Sequence, residues 1–283
     1  MIPAAFAYQR PASLDEALRI IASDSGAKVL AGGQSLLPLL KLRLASAETL
    51  IDIGRLKELK GVQATPGGGF EMGALTTYAE ALETTSLPYA RDCLSGIGDV
   101  QVRNRGTIGG AIAHADPASD APALALALDY SVVLRSQRGE RVVPLDGFLE
   151  GPFQTGIADD EILVALRRGP LPAGAGGAYR KLKQPASGYS IVGVAAVVAS
   201  SGGSVTHARV ALTGVGEVAY RAKAVEAALI GSDGSSSAVA AAAAHAVDGV
   251  TVNSDIHADR EYRSQMAVVY TRRAIEAALG RSA

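Results

Sequence analysis

Two pairs of adjacent glycines constrain this chain more than any other feature. Gly32-Gly33 lies in "VLAGGQSLLPLLKLRL" and Gly109-Gly110 in "RNRGTIGGAIAHADPASD". A plain turn needs one glycine. Two in a row leave a length of backbone without Cβ, so that another group can come close to its amides. Gln34 and Ser35 follow the first pair; Gly106, Thr107 and Ile108 precede the second. A hydroxyl therefore stands beside each. Neither stretch ends in the Lys-Ser/Thr of a P-loop, which disfavours a magnesium–nucleoside triphosphate site. No Lys or Arg lies inside either core, so backbone amides would carry the charge compensation. Taken singly, each stretch reads equally well as a tight loop. Taken together, two backbone nests could hold both phosphates of one pyrophosphate.

The bulk of the chain sets the frame for that site. With 283 residues, 48% hydrophobic and 19% charged, it can bury two or three small cores. A net charge of −1 without a basic block argues against nucleic acid and anionic membrane surfaces as partners. No apolar run is long enough to span a bilayer. "MIPAAFAYQRPASLDEAL" lacks the basic start and apolar core of a secretory signal, so a cytoplasmic location is expected. The single cysteine, Cys93, allows no internal disulfide and cannot by itself build a zinc or iron–sulfur site.

Periodicity and punctuation divide the chain into three blocks. Ser13 and Glu16 form a capping box that opens the helix "SLDEALRIIAS". "AKVLAGG" and "ETLIDIG" read as buried strands, with Pro38 in the first turn of a short helix between them. A Pro-Gly-Gly-Gly turn makes a hairpin of Val62–Ala64 and Phe70–Gly73, and helices follow from Thr76 and through "SLPYARDCLSGI". "YSVVLRSQRGERVVPL" is a second hairpin and "EILVALRRG" a strand. After the linker "PLPAGAGGA" come "YRKLKQPASGYSIVGVAAVVAS" and the strand "HARVALTGVG". Helices at "AYRAKAVEAALI", at the Ala-rich "SSSAVAAAAAHAVDGV" and from Asp259 to Leu279 close the chain.

Other candidate motifs weigh less. Gly214, Gly216 and Ala219 match G-x-G-x-x-A, but Asp233 sits in a loop and no second buried strand follows. The segment reads as a strand-to-helix turn. His114 and Asp116 lack further ligands at metal spacing. Asp116 and Asp120 flank Pro117, and either carboxylate would suit a ribose hydroxyl. Cys93 reads as a buried, inert thiol. No G-x-S-x-G elbow supports a serine hydrolase. Lys181 and Lys183 share a face if extended, and Tyr189 could bring an aromatic ring near a flat cofactor.

In this order, "AGGQSLLPLLKLRL", "RNRGTIGGAIAHADPASDAPA" and "YRKLKQPASGYSIVGVAA" resemble the FAD-binding medium subunit of the molybdenum hydroxylases. That group includes the aerobic carbon monoxide dehydrogenases and the xanthine dehydrogenase family. The resemblance runs to the final helix, "EYRSQMAVVYTRRAIEAAL". It implies an α+β fold: a FAD-binding domain of the vanillyl-alcohol-oxidase (PCMH) type in two subdomains, residues 1–57 and 58–175. A C-terminal α+β domain with a small antiparallel sheet, residues 176–283, would follow. It implies that Ala31, Gly32, Gly33, Gln34 and Ser35, and Thr107, Ile108, Gly109 and Gly110, are the two pyrophosphate loops. Asp120 would lie near the adenosine part, and Lys181 and Tyr189 near the isoalloxazine. Leu30, Leu36, Gly106, Ala111, Asp116 and Val164 complete the expected cofactor site. Three positions depart from the family's pattern: Gln34 for His, Ala111 for Asn and Gly188 for Asp. They bear on carbon monoxide as substrate rather than on FAD, and the missing histidine implies noncovalent FAD.

One consequence follows from the residues. With a single cysteine, this chain cannot carry the [2Fe-2S] clusters that feed the flavin in such systems. The resemblance then implies an electron-transfer subunit beside an iron–sulfur small subunit and a molybdopterin large subunit, as a dimer of heterotrimers. NAD, a quinone, oxygen or another external acceptor would take the electrons. No side chain is expected to act as acid or base, and no metal site is expected here. The alternatives are a standalone flavin oxidoreductase and a non-enzymatic nucleotide-binding module.

Overall fold

The structure is a computed structural model that describes residues 2–282. Three sheets follow one another along the chain, with a two-stranded ribbon beside the second. The first is small and parallel. Strands β1 (Ala7–Gln9) and β2 (Ala27–Leu30) flank β3 (Thr49–Asp52). Helix α1 (Leu14–Ser23) connects β1 to β2 and starts where the capping pattern places it, with the Ser13 hydroxyl accepting from the Glu16 amide. Helix α2 (Leu36–Leu42) lies between β2 and β3, with Pro38 in its first turn.

The second sheet is antiparallel, in the order β4-β5-β10-β6-β7. The hairpin of β4 (Val62–Thr65) and β5 (Gly69–Gly73) forms around the expected glycine turn. Five helices follow: α3 (Tyr78–Thr84), α4 (Pro88–Ser95), α5 (Val100–Arg103), α6 (Ile108–His114) and α7 (Asp120–Ala127). Then come the hairpin β6 (Ser131–Ser136) and β7 (Gly139–Pro144), the ribbon β8 (Leu149–Gly151) and β9 (Gln154–Thr155), and the strand β10 (Ile162–Arg168). One face of this sheet packs Val133, Ile162, Val164 and Ala165 against Ala17, Leu18 and Ile51 of the first unit. The other face receives the helices, so Leu134 and Leu166 join Leu94, Ile112 and Leu124.

The third sheet contains β11 (Gly176–Lys183), β12 (Ser190–Ser201), β13 (Ser204–Thr213) and β14 (Tyr220–Arg221), all antiparallel. Helices α8 (Lys223–Leu229), α9 (Ser236–Ala243) and α10 (Arg260–Leu279) cover its outer face. Its inner face places Tyr179, Ala195, Val197 and Ala211 in the same core as α7. Strand β12 is therefore buried on both sides, which explains its almost unbroken apolar sequence. Helix α7 is buried along its whole length between two sheets and shows no helical periodicity to read.

Three sequence expectations change. The stretch 103–120 is not a continuous irregular loop, because Thr107 caps helix α6 and the glycine pair falls inside its first turn. Tyr220 and Arg221 do not start a helix; they form β14, which pairs with Ala211 and Leu212 before α8 begins. The Ala-rich helix also ends early, at Ala243.

Candidate cofactor site

Strand β2 ends at Leu30, and the chain turns over Ala31–Ser35 into α2. Gly33 takes φ +74°, a conformation that favours glycine. Among the described residues, the amides of Gly32, Gly33, Gln34 and Ser35 donate to no acceptor within the chain. The Ser35 hydroxyl makes no capping bond, and Leu36 opens the helix. Gln34 is exposed and Leu30 half-buried. A short run of free amides ending at an unspent hydroxyl is a donor set for an anion.

The second stretch is wired differently. The Ile108 amide donates to the Thr76 carbonyl at 3.0 Å and the Gly109 amide to the Ala74 carbonyl at 2.9 Å. The Gly110 amide donates to the Thr107 hydroxyl oxygen at 3.1 Å. The expected pair of equivalent backbone nests is thus corrected. The amides of Ile108, Gly109 and Gly110 are spent on anchoring the start of α6, which leaves the Thr107 amide and the Thr107 hydroxyl proton as donors. The glycines have separate jobs. A Cβ on Gly109 would stand 2.4 Å from Ala74, so this glycine lets the helix sit on the strand end. A Cβ on Gly110 would meet only Thr107, which marks the open side; Ala111 follows half-buried.

The two stretches touch. A Cβ on Gly32 would lie 2.0 Å from the Arg105 carbonyl oxygen and 3.0 Å from Gly106 Cα. Gly106 in turn lies against the ring of Tyr78, where a Cβ would be 2.7 Å from Cε2. Free amides of the first loop and the Thr107 donors of the second therefore bound one cleft. This donor set suits a pyrophosphate, so the chemistry fits FAD.

A buried polar cluster forms around Asp120. Asp120, the first residue of α7, is 5% exposed. It accepts from Lys181 Nζ at 2.7 Å, from Ser190 Oγ at 2.7 Å and from the Tyr179 hydroxyl. Gly193 makes room for this, since a Cβ there would meet the Tyr179 hydroxyl oxygen at 2.4 Å. Tyr179 and Lys181 stand two apart on β11 and so share a face. Burial raises the Tyr179 phenol, and the Asp120 charge adds to the rise. Tyr189 is half-exposed on the turn between β11 and β12; burial raises its phenol, and Asp116 and Asp120 add to it. Burial likewise raises the Tyr78 phenol, with further contributions from Asp120 and Asp116. Residues predicted from two distant stretches thus converge: Lys181 pairs with Asp120, and Ser190, next to Tyr189, donates to Asp120 and to the Ala118 carbonyl.

Val164 sits apart from that cluster, at a bulge in β10, where its carbonyl accepts from the Ala74 amide at 2.8 Å. Asp116 accepts from the Ala118 amide and shapes the loop before α7. The G-x-G-x-x-A segment supports this loop: the Gly214 amide donates to the Pro117 carbonyl at 2.7 Å. Lys183 lies past a register shift and is exposed, so it does not join Lys181. His114 packs on the Phe153 ring at 5.0 Å, and burial lowers its pKa. Cys93 is fully buried, and burial pushes its thiol up. Sequence reasoning missed Tyr78, Tyr179 and Ser190. Only the i, i+2 spacing of Tyr179 and Lys181 hinted at one of them.

The chain is similar to known proteins along its whole length. Residues 4–168 match the family model described as the FAD binding domain in molybdopterin dehydrogenase. Residues 177–278 match the CO dehydrogenase flavoprotein C-terminal domain. The chain is 40% identical to the carbon monoxide dehydrogenase medium chain of Hydrogenophaga pseudoflava, covering 100% of both. It is 36% identical to the glyceraldehyde dehydrogenase medium chain of Sulfolobus acidocaldarius, over 98% of this chain and 99% of that one. The solved structure of a carbon monoxide dehydrogenase from Hydrogenophaga pseudoflava lacking the Mo-pyranopterin moiety superimposes with a TM-score of 0.96. It is 42% identical and 100% of each chain is covered.

Proposed function

Since the chain belongs to the FAD-binding medium-subunit family of the molybdopterin dehydrogenases, we propose that the Gly32–Thr107 cleft and the Asp120 cluster are its FAD site. The protein is the FAD-carrying electron-transfer subunit of an oxidoreductase complex. The chemistry that bound FAD supplies is the exchange of single electrons for electron pairs. The chain's own residues bind and orient. The amides of Gly32, Gly33, Gln34 and Ser35, the Ser35 hydroxyl and the Thr107 amide and hydroxyl take the pyrophosphate. Leu30, Ala31, Leu36, Gly106, Ile108, Gly109, Gly110 and Ala111 shape that cleft. Asp116, Asp120, Val164, Lys181 and Tyr189 complete the site, with Asp120 and Lys181 neutralising each other in a region that excludes water. The observation that carries this reading is the contact of Gly32 with Arg105, which brings two donor loops to one cleft.

The electron donor lies outside this chain, because one buried cysteine cannot ligate a cluster. We infer an iron–sulfur small subunit and a molybdopterin large subunit as partners, arranged as a dimer of heterotrimers in the cytoplasm. An external acceptor such as NAD, a quinone or oxygen would complete the circuit. Among the described residues no helix is long and apolar enough to cross a membrane. The separate sheets support domain divisions at 1–57, 58–175 and 176–283. Relatives of similar identity are named for carbon monoxide and for glyceraldehyde, and substrate choice belongs to the molybdenum-bearing partner.

The test is direct. The full chain, mixed with FAD and passed through gel filtration, is expected to retain one flavin that bleaches on reduction. Native purification is expected to bring down chains that carry iron–sulfur and molybdenum. A colourless chain that takes up no FAD overturns the reading.

A further inference from the structure

A second cavity lies away from the proposed flavin cleft, between the second sheet and helices α3, α4 and α7. Its volume is about 90 Å³, and it is partly open to solvent. Its wall is apolar: Phe70, Met72, Leu87, Leu94, Leu124 and Leu166 are representative. Of the residues named for the flavin site, only Ile108 touches it.

One charged side chain lines this cavity. Arg168, at the end of β10, is 8% exposed. Its neighbour Arg167 pairs with Glu71, whereas Arg168 meets no carboxylate among the described residues. Its guanidinium lies over the rings of Phe70 at 4.8 Å and Tyr130 at 5.8 Å, and NH1 donates to the Gly169 carbonyl. The buried Nε has no acceptor. The hydroxyl of Tyr89, 3% exposed, also lacks a partner. Burial pushes its phenol up to about 12, and the Arg168 charge opposes the rise. A buried cation without a counter-ion is costly, and so is an unpaired donor. Two aromatic faces offset part of that cost but leave the donors unmet.

We propose that this cavity binds a small monocarboxylate, with its apolar tail among the leucines and its carboxylate on Arg168. No bond is made or broken. The site would let a short-chain or single-ring acid load the medium subunit without displacing the flavin.

The FAD-loaded full chain, titrated calorimetrically with hexanoate and with 1-hexanol, tests this. Hexanoate is expected to bind one site at least tenfold more tightly than hexanol, with the flavin retained throughout. Arg168→Met is expected to remove that preference. Leu124→Phe, which fills the cavity without touching the charge, is expected to weaken both ligands. Equal binding of acid and alcohol, or no saturable binding of hexanoate, overturns the proposal and leaves the flavin reading intact. Release of flavin by hexanoate also overturns it, because the acid would then occupy the cofactor cleft.

Discussion

Gly32 lies against Arg105 so closely that a Cβ on the glycine would stand 2.0 Å from the Arg105 carbonyl oxygen. This contact, more than free approach of a phosphate, is what requires a glycine at 32. Gly32→Ala is expected to push the two loops apart. It should cut flavin retention after gel filtration at least tenfold and lower Tm. Gly169→Ala, where a Cβ meets nothing within 4 Å, is the control and should change neither. Full flavin content in Gly32→Ala would show that the cleft is not built on this contact.

Thr107 combines a helix cap with a candidate phosphate donor. Thr107→Val removes both and should cost about 1 kcal/mol in stability from the cap alone. Thr107→Ser keeps the hydroxyl. Flavin affinity, read by fluorescence titration, should fall in the valine variant and return in the serine variant. Equal affinity in both would confine Thr107 to capping.

Asp120 is the acceptor that Lys181, Ser190 and Tyr179 share. Asp120→Asn leaves a buried ammonium without its counter-charge and should destabilise the chain by about 3 kcal/mol. Adding Lys181→Met should recover part of that loss, since an apolar pair avoids the unpaired charge. Urea unfolding of the single and double variants measures both. A double variant no more stable than the single would argue that the ion pair is not the energetic link.

Glu161 is nearly buried and bonded on both oxygens by Arg141, at 2.7 Å each, with the Ala158 amide beside it. The Arg141 hydrogen bond, opposed by burial, holds the Glu161 carboxyl below its ordinary value. A lowered folded pKa gives stability that is present above the unfolded value and is lost as pH falls through the folded one. Arg141→Met should therefore cost about 1 kcal/mol at neutral pH, reduced from a buried pair because Arg141 is half-exposed. Urea midpoints of the two proteins should converge below about pH 4. A gap that stays constant with pH would remove the ion pair from the account.

Much of the molecule was legible in the residues alone. The capping box placed α1, the glycine turn placed the first hairpin, and Pro38 placed the start of α2, because each signal acts within a few residues. The order of motifs was enough to point to a flavoprotein, and the cysteine count was enough to put the clusters elsewhere. The packing partners were not legible. Helix α7 and strand β12 lie between layers, so their apolar character has no face to reveal. The two glycine pairs look alike in sequence, yet one keeps its amides free while the other spends them on Ala74 and Thr107. Asp120 finds its partners 59, 61 and 70 residues later in the chain. The sequence determined which groups could donate and accept. The fold decided which were already paired, because a hydrogen bond depends on what lies within about 3 Å, and that is set by how the sheets and helices stack.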